Sequence, residues 1–330
     1  MAHSLALGLI GTGRWGQVYL RTLAQLQARC KLTVVCARHA EQAAQVPSSA
    51  GVVQQWEEVV HGPCEAVIIA TPPATHAEIV MACLEAGKPS IVEKPLCLDV
   101  ETAERLHRAA QRTQTPVLVD HTHLFSSAYR ILKHHLSRAD DPIRVILSEG
   151  MALGPFRSHT PALWDWAVHD VAICLDLLGN FPQRIDALGG PPDPDGRPDA
   201  VSLLLEFAQG AAAWIQAGRL ESKKRRSLSV MTEHHLYLLE SLSAETLTVA
   251  DIDFSARYRQ GIPEAPQWRA IRVEPSPPLQ NMLLYFLDGL AGGDRSRFGT
   301  ALAVETVRVL AACEQAMQQR TAKPTLTNRE

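Results

Sequence analysis

The chain has 330 residues, more than one hydrophobic core usually serves, so two domains are expected. Its 32 Lys plus Arg against 35 Asp plus Glu give a net charge of -3, without the basic excess that binding a phosphate backbone requires, so no nucleic-acid partner is expected. The seven scattered cysteines include no Cys-x-x-Cys pair, and no run approaches the ~18 apolar residues of a membrane helix, so a disulfide framework, such a zinc site and a membrane partner are set aside.

The pattern begins with Leu5 to Ile10 as a short buried strand and Trp15 to Ala28 as a helix with apolar Val18, Leu20, Leu23 and Leu26. A glycine turn so near Met1 leaves no room for a signal peptide, and the expected location is the cytoplasm. Between strand and helix stands Gly11-Thr12-Gly13-Arg14-Trp15-Gly16. Gly11 allows the tight turn, Gly13 lets the backbone approach a pyrophosphate, Gly16 permits close helix-strand packing, and the helix amides face the anion. The bland reading is a glycine turn that holds no ligand.

A second strand, Leu32 to Cys36, is followed by Ala37-Arg38-His39. An acid here would grip the ribose 2′-hydroxyl of NAD. A small residue followed by Arg instead leaves space and a bidentate cation for a 2′-phosphate, which favours NADP. Stacking of Arg38 on the adenine of NAD remains the competing reading.

Further strands follow at Ala66 to Ala70, Ser90 to Val92 and Pro116 to Val119, with helical stretches between them. Such alternation gives a parallel sheet covered on both faces. The helix near residue 76 has a candidate capping box at Thr75-His76-Ala77-Glu78 and a left-handed stop at Gly87. Thr71, Pro72 and Pro73 then lie at the carboxyl edge of the sheet, as do Glu93, Lys94 and Pro95. A Lys-Pro bond can be cis, which would fix the direction of Lys94.

After about residue 120 the runs lengthen and alternate, as in Ala200 to Phe207, Ala211 to Leu220 and Leu228 to Thr232, which predicts an antiparallel sheet. The Pro/Asp/Gly stretch 189 to 199 reads as a hairpin loop, and helical periodicity returns over Leu279 to Leu290 and Ala301 to Gln318. Residues 163 to 179 read as one helix on which Asp165 and His169, i and i+4, share a face as an orienting acid and a base. The opposing reading is a helix-start acid and a core histidine. His121-x-His123 is a polar site wall rather than a metal site. The run Lys223-Lys224-Arg225-Arg226 is a solvated strand edge, with Lys224 or Arg226 able to face substrate. Trp164 and Trp166 can stack on a sugar or pack in the core.

Together the Gly11 turn, Ala70-Thr71-Pro72-Pro73-Ala74-Thr75-His76, Glu93-Lys94-Pro95 and Asp165-x-x-x-His169 resemble the Gfo/Idh/MocA oxidoreductases. The likeness extends through "VDHTHLF", "LGPF" and "PLQNMLLYFLDGL" and so covers essentially the whole chain. It implies an α/β fold: a Rossmann doubly wound parallel sheet over residues 1–120, then an α+β domain over 121–330 with an open, mainly antiparallel sheet used in a homodimer or homotetramer. It also implies hydride transfer between NADP or NAD and a sugar, amino-sugar, cyclitol or related polyol or carbonyl substrate. Lys94, His169 and Asp165 are the implied catalytic residues. Cofactor-binding positions are Gly11, Thr12, Gly13, Arg14, Trp15, Ala37, Arg38, His39, Thr71, Pro72, Pro73, His76, Glu93 and Lys94. Substrate-binding positions are His123, Arg157, Trp164 and Trp166, and no metal is expected. Two departures stand out: many members have Pro at Val168 and Asn-x-Arg where "HTHLF" stands. The rival functions are an NAD-dependent glycosidase of the same family and a nucleotide sensor without turnover.

Overall fold

A computed structural model of the chain describes residues 4–138, 140–156, 160–241, 245–256 and 266–321. It divides into two compact units. The first takes in the described residues up to Thr122 together with Pro278–Val307; the second takes in those from His123 to Pro277 and from Arg308 on.

The first unit alternates strand and helix: β1 (Leu5–Ile10), α1 (Arg14–Ala24), β2 (Cys30–Cys36), α2 (Ala40–Ala43), β3 (Gly51–Val53), α3 (Trp56–Val60), β4 (Ala66–Ile69), α4 (His76–Glu85), β5 (Ser90–Glu93), α5 (Val100–Thr113) and β6 (Val117–Asp120). All six strands run parallel in the order β3-β2-β1-β4-β5-β6. The order reverses between β1 and β4, and open sheets of this kind bind ligands at the carboxyl ends of the strands where it does so. Every residue of β4, β5 and β6 is buried, the apolar ones that mark these strands in the sequence and also Ser90, Glu93 and Asp120.

Two local expectations for this unit are corrected. α1 stops at Ala24, four residues short of Ala28, because Gln25 and Leu26 already bond back to the Thr22 and Leu23 carbonyls in a tightened turn. The capping box at Thr75 does not form: Pro72 and Pro73 open a single 3₁₀ turn, and the Thr75 hydroxyl lies 2.8 Å from Thr71 Oγ1 and 2.9 Å from the Pro72 carbonyl. Gly87 does take the left-handed conformation, with φ of +66°.

In the second unit come α6 (Ser127–Arg138), β7 (Ile143–Leu153), a π-helical turn at Leu163–Ala167, α7 (Val168–Leu178), β8 (Arg184–Gly189), β9 (Ala200–Glu206), β10 (Ala212–Gly218), β11 (Leu220–Thr232), β12 (His235–Leu239), β13 (Thr246–Asp251) and β14 (Arg269–Arg272). They form one eight-stranded sheet, β14-β13-β12-β11-β7-β10-β9-β8, antiparallel except at the β7–β10 pair. The segment 189–199 is a hairpin loop, tied by the Asp193 carboxylate to the backbone amides of Asp195 and Arg197 at 2.9 Å.

The chain ends with α8 (Pro278–Leu290) and α9 (Ala301–Thr321). A single boundary at residue 120 misses this return: Gly299 N donates to the Val117 carbonyl at 2.6 Å, and His107 Nδ1 lies 2.8 Å from Thr300 Oγ1, both within the first unit. All seven cysteines are buried and none forms a disulfide. No helix among the described residues is long and apolar enough to cross a membrane.

Candidate functional site

The candidate residues are distributed over both units. In the first, β1 ends at Ile10 and the chain turns at Gly11, whose φ is +97° and whose absent Cβ would sit 2.6 Å from the Ala70 carbonyl at the end of β4. Only glycine fits there. At Gly16 a Cβ would fall 2.1 Å from the Gly11 carbonyl, so α1 lies directly against the turn. Gly13 differs from both, being exposed, with nothing within 4 Å of where a Cβ would be. An open backbone at the N-terminus of an eleven-residue helix fits a pyrophosphate.

Thr12 is buried, its hydroxyl donating to Gln42 Oε1 at 2.8 Å, while Arg14 is exposed and Trp15 half-buried. At the end of β2, Ala37 is buried and Arg38 and His39 are exposed, leaving the guanidinium available to a ligand.

His76 occupies the opposite extreme from those exposed groups. Its ring is fully buried and both nitrogens face backbone carbonyls, Nδ1 that of Pro95 and Nε2 that of Thr71, each at 2.8 Å. Burial pushes its pKa down. The ring clamps the edge loops after β4 and β5 to each other, so any influence on a cofactor runs through Thr71, half-buried Pro73, exposed Pro72 and the Lys94-Pro95 segment. The Lys94-Pro95 bond is cis, and Lys94 is 9% exposed at the end of β5.

Beneath Lys94 lies a cluster of which the sequence reading named only Glu93, as a cofactor-binding position. Tyr19 of α1, fully buried, donates to Asp120 Oδ2 at 2.5 Å, and Asp120 is hydrogen-bonded to Glu93. Burial, reinforced by the Asp120 charge, pushes Glu93 well above the usual carboxylate range; burial also raises Asp120 and, strongly, Tyr19.

In the second unit, Asp165 and His169 do not share one continuous α-helix. Asp165 lies in the π-helical turn, 8% exposed, and His169 in the first turn of α7. The wider turn changes the i, i+4 alignment that the spacing predicts. Trp164 is buried and Trp166 half-buried. Arg157 lies outside the described residues.

Around His169 the side chains form a defined cluster. The His123 ring meets it edge-on, with centroids 4.5 Å apart. Arg226 Nε donates to His123 Nε2 at 3.3 Å, which makes that nitrogen the bare one and places the ring proton on Nδ1. Arg226 is anchored by Asp170: Nη1 lies 2.8 Å from each carboxylate oxygen, and Ser148 donates to Oδ1 at 2.6 Å. Lys223, Lys224 and Arg225 of the basic run remain exposed on β11, and only Arg226 turns inward. The carboxylate that decides this, Asp170, is one residue past the histidine that the motif singled out.

Comparison with known proteins agrees with both units. Residues 5–121 match the model of an oxidoreductase family with an NAD-binding Rossmann fold. A crystal structure of a proposed oxidoreductase from Magnetospirillum magnetotacticum MS-1 is 35% identical, covering 94% of this chain and 100% of that one, with a TM-score of 0.84. The chain belongs to the Gfo/Idh/MocA oxidoreductase family. Another relative is the scyllo-inositol 2-dehydrogenase (NAD(+)) of Bacillus subtilis, 28% identical over 235 residues, 66% of this chain and 68% of that protein. The fold alone is shared with UDP-N-acetylglucosamine 3-dehydrogenase from Acidithiobacillus ferrooxidans, with a TM-score of 0.85 at 21% identity over 97% of this chain and 100% of that one. As a member of the Gfo/Idh/MocA family the protein is an oxidoreductase with an NAD-binding Rossmann unit.

Proposed function

We propose that the protein is a dehydrogenase that moves a hydride between a nicotinamide cofactor and a CH–OH or carbonyl carbon of a sugar, amino-sugar or cyclitol. The observation that carries this reading is Lys94, set at the carboxyl end of β5 in the sheet whose β1 turn is open to a pyrophosphate at Gly13. That unit supplies both a cofactor cradle and a cation for a developing alkoxide. Bound nicotinamide would accept or return the hydride.

In the oxidation direction His169 is assigned the role of taking the hydroxyl proton, Lys94 that of stabilising the developing alkoxide, and Asp165 that of stabilising the charged imidazole. His123, its Nε2 accepting from Arg226, is assigned to substrate binding. Exposed Arg38 after buried Ala37 supports NADP as the preferred cofactor, gripped at its 2′-phosphate. The named relatives are dehydrogenases, so this reading is preferred to a glycosidase or a sensor.

A homo-oligomer, dimer or tetramer, fits the large sheet. Trp214 and Leu147 are register partners on one face, and with Leu188 they are 45%, 48% and 52% exposed. Sedimentation of the purified protein should give a mass at least twice that of the chain.

The deciding experiment is a screen of cyclitols, sugars and nucleotide sugars with NADP and NAD, followed at the reduced-nicotinamide absorbance. Substrate-dependent reduction that is lost in Lys94→Ala, with cofactor binding retained, is the expected result. Glycoside cleavage without net reduced cofactor would move the assignment to the glycosidase.

A further inference from the structure

Two acids meet where β5 and β6 end. Glu93 and Asp120 are register partners in adjacent parallel strands, so their side chains leave the same face of the sheet. They are 5% and 0% exposed, and their carboxyls are hydrogen-bonded to each other. Asp120 also accepts from Tyr19 of α1 at Oδ2 and from Thr122 at Oδ1. The remaining charge facing both acids within this unit is Lys94, beyond which stands the buried His76 of α4.

Contacting carboxyls cut off from water do not both ionise. The hydroxyl donors on Asp120 favour its charged form. Glu93 keeps Oε1 without a hydrogen-bond partner among the described residues, a costly arrangement for a buried carboxylate and a tolerable one for the neutral acid. The proton therefore belongs on Glu93, donated towards Asp120.

We propose that Glu93 and Asp120 act as one dyad carrying a single proton and a single negative charge, and that this charge holds the Lys94 ammonium at the strand edge. Both acids are positioning residues, and their importance for turnover rests on Lys94 being the lysine of the proposed dehydrogenase. The coupling is visible from the dyad's side, since the Lys94 charge lowers the proton affinity of both acids. Because the charge is shared, either acid can carry it when the other is replaced by its amide.

Infrared difference spectra of the full-length, cofactor-free protein test the dyad without reference to any substrate. At neutral pH the wild type should show the carbonyl stretch of a protonated carboxylic acid, and Glu93→Gln should lose it. Lys94→Met should shift uptake of the dyad's second proton to higher pH by about one unit or more, the effect of removing a neighbouring opposite charge. Absence of the band in the wild type, or an unmoved titration in Lys94→Met, overturns the proposal even if the protein is a dehydrogenase.

Kinetics then test the shared charge. Glu93→Gln and Asp120→Asn should each lower kcat, and the double variant should lose more than the product of the two single losses. A loss equal to or below that product overturns the sharing. Should the double variant fail to fold, the infrared result for Glu93→Gln and Lys94→Met decides the matter. If no substrate is ever found but the infrared shifts occur, the dyad stands and only the dehydrogenase reading fails.

Discussion

Arg226 presents one nitrogen, Nη1, to both oxygens of Asp170, 2.8 Å from each, while its Nε donates to His123. The two side chains are 13% and 1% exposed, so this is a buried ion pair with a task, namely fixing the tautomer of the histidine beside His169. Removing one partner strands the other. Arg226→Ala should cost about 3–5 kcal/mol of stability, and Arg226→Met with Asp170→Leu should recover much of it. Denaturant unfolding of the three proteins measures both effects, and substrate KM should rise in every variant that frees His123.

Gly150 is what lets that guanidinium reach its partner. It opposes Arg226 across the β7–β11 ladder, and a Cβ there would lie 2.1 Å from Nη1 and 2.8 Å from Asp170 Oδ2. Gly150→Ala should therefore destabilise the protein by about 1–3 kcal/mol through overpacking. In an Arg226→Ala background most of that penalty should vanish, a coupling that a double-mutant cycle reads directly.

Cofactor choice can be tested at Arg38. Its replacement by Ala should weaken NADPH binding by ~2 kcal/mol, the loss of a charged hydrogen-bond partner, and leave NADH nearly unchanged. Calorimetric titration of both nucleotides decides it, and equal losses would assign Arg38 to adenine stacking instead.

His169→Ala should lower turnover by a factor of ~10² to ~10⁴, the usual worth of a positioned general base, with cofactor affinity preserved. Combining it with Asp165→Asn should cost less than the sum of the two barriers, because residues that act as a unit share one contribution. The pH-rate profile should lose its acid limb in the His169→Ala variant.

Glu93 also leaves a mark on stability. Burial raises its pKa in the folded protein, so from about the ordinary value of 4.5 upward the unfolded chain releases a proton that the folded one keeps. Below that value both states are protonated and nothing changes. Above it stability falls with rising pH until the folded carboxyl also ionises, and Glu93→Gln should flatten that decline in thermal melts from pH 5 to 8.

How far the sequence reaches is best seen at neighbouring residues. The glycine turn and the Lys94-Pro95 corner are legible because their chemistry depends on local spacing. Asp120 stands inside a quoted motif and Asp170 directly after His169, yet neither role can be read there. What gives Asp120 its role is Tyr19, 101 positions away, and what gives Asp170 its role is Arg226, 56 positions away. The same holds for β7, whose weakly alternating burial hides a strand that is central to the second sheet. The π-helical turn was equally invisible, because one extra residue in a helical turn leaves an apolar pattern nearly unchanged.

The return of residues 278–307 to the first unit bears on the order in which the protein is made. The Val117 carbonyl, at the edge of the nucleotide sheet, accepts from Gly299 N in a bridge that pairs Gly299 with Leu118, and His107 waits for Thr300. During synthesis these groups emerge long before their partners. The ribosome must add roughly another 180 residues, some ten seconds or more at typical elongation rates, before the first unit to begin folding can close its last edge. A nascent chain stalled before residue 299 would thus display β6 as an open strand margin.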